Sequence, residues 1–266
     1  MHILEESFEV FIIAWIFYFV LSFISPYVKK MLVKNKKTMP FVGSLFGVIP
    51  QCSVSILASD LYIKNYITIG TLIAIYLSCS DEAIPILLAS DQKIMVIYLI
   101  LSKIIIGMVF GYLFDFIIKE TILDSVIEEE KESGWHLHFL HPLKDSFEIF
   151  LYVLVINILF HGLFHIVDTN QIESFLATNY YIQPLLTTLI GLIPNCVSTI
   201  IVTNMFIGST ISFGALLSGL LVNSGLGLIY LFKSKKSGKR KLLILFSLII
   251  IALICGEIIS FIEALI

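Results

Sequence analysis

The sequence predicts an all-α integral membrane protein of two inverted-topology repeats, about five membrane segments each, with broken or re-entrant helices at two Pro-amide-Cys motifs. Three observations predict this. The composition is too apolar for a soluble core, one segment recurs at constant spacing, and the basic loops reverse their placement between the halves.

The chain has 266 residues, 58% hydrophobic and 14% charged, with a mean hydropathy of +0.98, where a soluble domain carries about 25% charged residues. Apolar runs near the roughly 20 residues that span a bilayer recur at Ser7 to Ile24, Ile94 to Ile118, Phe147 to Val167 and Leu242 to Ile262. The lipid bilayer is therefore the expected solvent. The start, Met1-His2-Ile3-Leu4-Glu5-Glu6, lacks the basic region of a cleaved signal, so the first span is expected to be retained. Cys52, Cys79, Cys196 and Cys255 all lie in apolar segments and imply no secreted-type disulfide framework. The net charge of -3 points to no macromolecular partner, and no nucleic acid is expected.

The repeat emerges when Gly47 to Ser80 is laid on Gly191 to Ser224 at an offset of 144, which makes eleven of 34 positions identical. Gly47/Gly191, Pro50/Pro194, Cys52/Cys196, Gly70/Gly214 and Ser80/Ser224 are pairs that hydrophobic bias does not explain. Upstream, Glu6-Ser7-Phe8-Glu9-Val10-Phe11 matches Asp145-Ser146-Phe147-Glu148-Ile149-Phe150 at an offset of 139. The expected organisation is a first repeat over 1–120, a connector over 121–143 and a second repeat over 144–266.

Lysine and arginine in short loops mark the cytoplasmic side. Tyr27 to Met39 carries Lys29, Lys30, Lys34, Lys36 and Lys37, and Lys233 to Lys241 carries five lysines and Arg240, so both loops are expected inside. The counterpart of the first loop, Asp168 to Gln183, has two acids and no base and is expected outside. That places the connector in the cytoplasm and both termini outside a multi-pass cell-membrane protein. It also requires an odd number of crossings between Met39 and Ser90, where hydropathy suggests two segments divided near Lys64-Asn65. One must be broken or re-entrant. Pro50 and Pro194 are the expected breaks, because proline removes a helical N–H and clashes with the preceding turn. Pro85 lies at a second weak point.

Irregular backbone at membrane depth is tolerated where it lines a site, and broken helices of inverted repeats often do so. Gly47-Val48-Ile49-Pro50-Gln51-Cys52-Ser53 and Gly191-Leu192-Ile193-Pro194-Asn195-Cys196-Val197 each set an amide and a thiol behind a proline. Freed N–H groups of a half-helix suit an anion, while amide oxygen and thiolate suit a moderately soft cation. The bland alternative is a helix break with a small packed thiol; duplication of the motif favours a site. Asp60, aligned with Asn204, is a candidate coupling-ion carrier or else a near-surface partner of Lys64, four residues on. Ser78-Cys79-Ser80-Asp81-Glu82, opposite Val222-Asn223-Ser224-Gly225-Leu226, carries charge in one half alone. A solute or coupling-ion site would show that asymmetry, with Asp81 and Glu82 as hard ligands or proton carriers. The alternative is an external loop end.

His161 and His165 share one helix face but lack the glutamate of a zinc protease motif, so an interfacial role is expected. The connector run from Glu128 to His141 includes His136, His138 and His141 without cysteine and reads as a solvated linker with an interfacial Trp135. Glu9 and Glu148 read as interfacial carboxylates.

These motifs resemble a bacterial family of ten-span heavy-metal exporters whose members carry the labels arsenic efflux protein and manganese transporter. The likeness covers nearly the whole chain and is strongest over Ile49-Pro50-Gln51-Cys52, Gly70-Thr71-Leu72, Ser80-Asp81-Glu82-Ala83, Ile193-Pro194-Asn195-Cys196 and Phe213-Gly214. It implies a ten-span inverted repeat that transports a metal or metalloid. The chain departs from the pattern in its connector, which keeps histidines but no cysteines.

The expected function is thus secondary-active efflux of a heavy metal or metalloid, of the manganese or arsenic class, without a cofactor. Substrate would be bound by Gln51, Cys52, Ser80, Asp81, Glu82, Asn195, Cys196 and Ser224, with Cys52, Cys196, Asp81 and Glu82 as metal ligands. Asp60, Asp81 and Glu82 are the coupling-ion candidates. No Walker A run is present, which favours an ion gradient over ATP hydrolysis within this chain. The rivals are transport of a small organic solute or oxyanion and a membrane-embedded enzyme; against the latter, no nucleophile, base and orienting group fall at a recognisable spacing.

Overall fold

A computed structural model describes residues 38–49, 52–79, 82–119, 179–193, 196–234 and 236–265, all within one compact unit. Among these residues every regular element is helical. The first set comprises α1 (Met39–Gly47), α2 (Cys52–Ile63), α3 (Ile69–Ser78), α4 (Ala83–Ala89) and α5 (Lys93–Ile117). The second comprises α6 (Gln183–Gly191), α7 (Cys196–Ile207), α8 (Phe213–Val222), α9 (Leu226–Lys233) and α10 (Gly238–Leu265). The spans read at Ser7 to Ile24 and Phe147 to Val167, the connector and its histidines, Glu9, Glu148, His161 and His165 lie outside the described residues.

Shared local chemistry makes the two sets correspond. Pro40 and Pro184 stand in the first turns of α1 and α6, where a missing N–H costs nothing. Just past α2 stands Asn65 with φ 61°, and just past α7 stands Ser209 with φ 57°. The N–H groups of Tyr66 and Asn65 return to the carbonyls of Leu61 and Tyr62, and those of Thr210 and Ser209 to Met205 and Phe206. Both are Schellman closures, with a left-handed residue satisfying the last carbonyls. The next helices begin alike: Thr68 Oγ1 accepts from Thr71 N–H and Ser212 Oγ from Ala215 N–H, each at 3.1 Å. The division read near Lys64-Asn65 is this turn. The interruptions read at Pro50 and Pro194 fall between α1 and α2 and between α6 and α7.

Length and exposure separate the helices into classes. α5 has 25 residues and α10 has 28, and at 1.5 Å per residue each exceeds the roughly 30 Å of bilayer hydrocarbon. Each buries one stripe, Val96, Leu99, Lys103, Gly107 and Gly111 on α5 and Ile244, Leu248, Ala252, Gly256 and Ser260 on α10. Opposite stripes, such as Ile97, Leu101, Ile105 and Val109 or Phe246, Ile250, Ile254 and Ile258, are exposed and apolar. A helix that is apolar on its exposed face is solvated by lipid. α3 and α8 are buried on all sides and form the centre. Ile69–Ala89 and Phe213–Lys233, α3 with α4 and α8 with α9, are each 21 residues long and apolar enough to cross. α1 and α2, of 9 and 12 residues, reach only about 13 and 18 Å.

Neighbouring residues give the helix directions. A Cβ on Gly43 would meet Thr71 and Ile75, and one on Gly47 would meet Ile75 and Ser78, so α1 runs alongside α3 in the same direction. Gly107 lies against Ala74 and Ser78 and Gly111 against Gly70, so α5 runs opposite to both. In the second set Thr187 Oγ1 donates to Ala215 O (2.7 Å) and Thr188 shares a 2.5 Å hydrogen bond with Ser218, which makes α6 parallel to α8. Gly214 against Ser260 and Ser218 against Gly256 set α10 antiparallel. Small residues at these contacts let backbones approach closely, as helix packing in lipid requires.

Each central helix is tied to its long neighbour by a carboxylate at its N-terminus. Asp115 accepts from Thr68 Oγ1 (2.8 Å) and Gly70 N–H (3.0 Å), and Glu263 from Phe213 and Gly214 N–H (3.1 Å each). An anion there meets unpaired N–H groups and the positive end of the helix dipole. Asp115→Asn keeps the shape and removes the charge, and is expected to cost about 1 kcal/mol, read as a lower midpoint in thermal unfolding of the detergent-purified protein.

Candidate functional site

The two sets interlock through their second and fourth helices: α2 packs on α9, and α7 on α4. On α2, Ser59 Oγ donates to Gly227 O (2.8 Å) and Ser55 Oγ accepts from Gly227 N–H (3.2 Å). Tyr230 donates to Asp60 at 3.3 Å, beyond Ser59 on α2 and one turn beyond Gly227 on α9. The helices meet without intervening side-chain bulk because Gly227 has none.

The interruption between α8 and α9 is built from Asn223, Ser224 and Gly225. Asn223 Oδ1 accepts from Gly225 N–H (2.9 Å), an Asx-type turn, and Gly225 has φ 56° and ψ -149°, a conformation that glycine alone adopts readily. The Asn223 amide donates to Ser198 Oγ (3.1 Å) and Thr199 Oγ1 (2.7 Å) in the first turn of α7. Ser55, in the first turn of α2, grips Gly227 just beyond the same interruption. The first turns of both second helices, a few residues after the Pro-amide-Cys motifs, therefore converge on this interruption and the helical turn that follows it.

Cys52 and Cys196 are the first residues of α2 and α7, so they stand where freed N–H groups and the positive dipole end are concentrated. Glu82 is the N-cap of α4, half-buried, and Ser224 is buried within the α8–α9 interruption. Gln51, Ser80, Asp81 and Asn195 lie outside the described residues. Asp60 is away from this convergence, in the last turn of α2, where Lys64 pairs with it at 2.8 Å and is itself 56% exposed. This ion pair is the i,i+4 contact that the spacing of the two residues allows. Among the described residues no three His, Cys, Asp or Glu side chains gather to hold a metal.

One charged residue of the centre escaped the sequence reading. Lys103, near the middle of α5, is wholly buried, and its ammonium donates to Cys79 O at the end of α3 and to Leu220 O in the last turn of α8 (2.9 Å). It lies within the apolar run Ile94 to Ile118, whose mean hydropathy it barely lowers. Its signal was its cost, since a cation inside a spanning segment is expensive and marks function by default.

The sequence matches the family described as "Putative, 10TM heavy-metal exporter" over residues 6–141 and again over residues 136–265. No curated protein and no solved structure matches it.

Proposed function

The chain belongs to this ten-transmembrane heavy-metal exporter family, and from that premise we propose that it is a secondary-active exporter of a heavy metal or metalloid, of the manganese or arsenic class. Two inverted repeats, 1–120 and 144–266, flank the connector 121–143, and the substrate site lies at mid-depth between them. One observation carries the reading: the first turns of α2 and α7 meet at the Asn223–Gly227 segment. On this reading Cys52 and Cys196, at the starts of those helices, flank a single locus. Thiolates suit a soft ion such as trivalent arsenic, and the amides of Gln51 and Asn195, the hydroxyls of Ser80 and Ser224 and the carboxylates of Asp81 and Glu82 would supply the oxygen donors that a harder ion such as manganese prefers.

Re-entrance of the α1–α2 and α6–α7 pairs is supported by length and direction. α1 and α3 start at the same level and run in parallel, so α2 returns the chain to the side it left, and neither α1 nor α2 is long enough to cross. Inversion is supported by charge. The α2–α3 turn meets Lys236, whose ammonium donates to Asn65 and lies 4.8 Å from the centre of the Tyr62 ring, so Lys64, Lys233 and Lys236 gather at one end. At the other end the α7–α8 turn meets the start of α6 through Gln183, which hydrogen-bonds Thr210 O and Ser212 N–H. A lysine-rich end is the cytoplasmic end. The first pair would then enter from the cytoplasm and the second from outside, with alternating access arising as one repeat rocks on the other.

The test is accumulation of manganese, zinc and arsenite in cells making the protein, beside a Cys52→Ser, Cys196→Ser variant at equal membrane abundance. Lower accumulation of one solute, abolished in the variant, is the expected result. Unchanged accumulation of all three sinks the metal reading and moves the assignment to an organic solute or oxyanion.

A further inference from the structure

Lys103 has no counterpart in the second set. Gly111 packs on Gly70 and Ala74 as Gly256 does on Gly214 and Ser218, an offset of 145 that puts Leu248 in the place of Lys103. Leu248 is as completely buried as the lysine, and apolar. A single cation therefore serves two helix ends. Cys79 O belongs to the C-cap of α3 and Leu220 O to the last turn of α8, one from each set. Helix C-termini carry unsatisfied carbonyls and the negative end of the dipole. Two of them meeting inside a bilayer need donors, and a positive charge between them answers both the open carbonyls and the dipoles; interrupted helices of transporters commonly use a bound cation held by such carbonyls.

We propose that the Lys103 ammonium is a built-in counter-ion at the joint of the two repeats, standing where a bound monovalent cation would otherwise hold the ends of α3 and α8 together. Its four-carbon stem enters from α5, where Gly107 one turn on leaves room against Ala74 and Ser78, and Ser78 Oγ bonds the Lys103 carbonyl at 3.3 Å. The charge is thus tethered to the first set and reaches across to Leu220 in the second. Lys103 is a positioning residue. It fixes the spacing of the two interruptions, and it makes the joint independent of sodium or potassium in solution. Two monovalent-cation contacts are supplied by carbonyls already in place, so removing the side chain alone exposes a site for a small cation.

Two experiments test this on the full-length purified protein, and both read melting temperature with no transported solute added. In the first, Lys103→Ala is expected to melt below wild type and to recover by roughly 4 °C or more in methylammonium chloride. Choline chloride at equal ionic strength, whose cation is too large for the vacated space, is expected to give no recovery, and wild type to respond to neither. In the second, Lys103→Leu is expected to lower the melting temperature, and the double variant Lys103→Leu, Leu248→Lys to restore most of it by delivering the charge from α10. If Lys103→Ala does not fold, the second pair still decides, because a single variant as stable as wild type, or a double variant no better than the single, overturns the counter-ion. A folded Lys103→Ala protein indifferent to methylammonium overturns it as well. Absence of metal efflux by wild type would sink the transport reading while leaving these melting results intact.

Discussion

The Gly227→Val variant is expected to fold into the membrane yet lose transport by about ten-fold or more. A Cβ on Gly227 would stand 2.5 Å from the carbonyl carbon of Ser55 and 2.8 Å from its Cβ. Those atoms belong to helix α2 and have no rotamer through which to withdraw. The helices must part, and with them go the two hydrogen bonds that Gly227 makes to Ser55 and Ser59. Overpacking of this kind typically costs about 1–3 kcal/mol, and it falls on the contact that carries the start of α2, with Cys52, to the α8–α9 interruption. Tyr230→Phe is the matched control. It removes the 3.3 Å hydrogen bond to Asp60 at the other end of the same helix pair, and transport is expected to stay near wild type because Lys64 still holds the carboxylate. Efflux measured at equal membrane abundance separates the variants. A Gly227→Val protein with undiminished transport would show that close packing of α2 on α9 is not needed for the cycle.

The joints were legible in the sequence, and the contacts that close them were not. Pro50 and Pro194 announce interruptions by backbone chemistry alone, and the duplicated Gly-x-Ile-Pro-amide-Cys run tells that both halves use them. The turn at Asn65 and the island at Ser78 to Glu82 were readable for the same reason, because caps and breaks are decided by residues close in the chain. The pairing of α2 with α9 joins Ser55 to Gly227 across more than half of the sequence, and no periodicity encodes a partner at that distance. Lys103 was hidden differently. Within Ile94 to Ile118 one lysine barely lowers the average hydropathy, so a window that finds the span passes over the residue that most resists being there. Asp115, two turns after Gly107 on the same helix, was missed by the same averaging, although its cap on α3 is as local in space as any in the molecule.

The same close packing reverses a familiar sign at Gly47 and Gly191. Alanine is ordinarily favoured over glycine in a helix by about 1 kcal/mol, and both residues end short helices, so local propensity alone predicts gains. The surroundings predict losses. A Cβ on Gly47 would come within 2.5 Å of Ile75 O and 2.8 Å of the Ser78 Cβ, and one on Gly191 would collide with Gly219 O and lie 2.9 Å from its carbonyl carbon. In each case the obstacle is the backbone of the central helix, α3 or α8, just before its interruption. The alanine variants are therefore each expected to lose about 1–3 kcal/mol and to displace the chain leading into Pro50 or Pro194. Gly238→Ala, at the start of α10 with nothing within 4 Å of the added carbon, is expected to be neutral or to gain up to about 1 kcal/mol. Thermal unfolding of the three purified variants checks the contrast. Equal losses at Gly47 and Gly191 would mean that both first helices lean on their central partners to the same degree, as a duplicated architecture requires. A loss at one and a gain at the other would mean that the repeats have diverged in packing as they have in charge, where Asp81, Glu82 and Lys103 stand on one side and Gly225, Leu226 and Leu248 on the other.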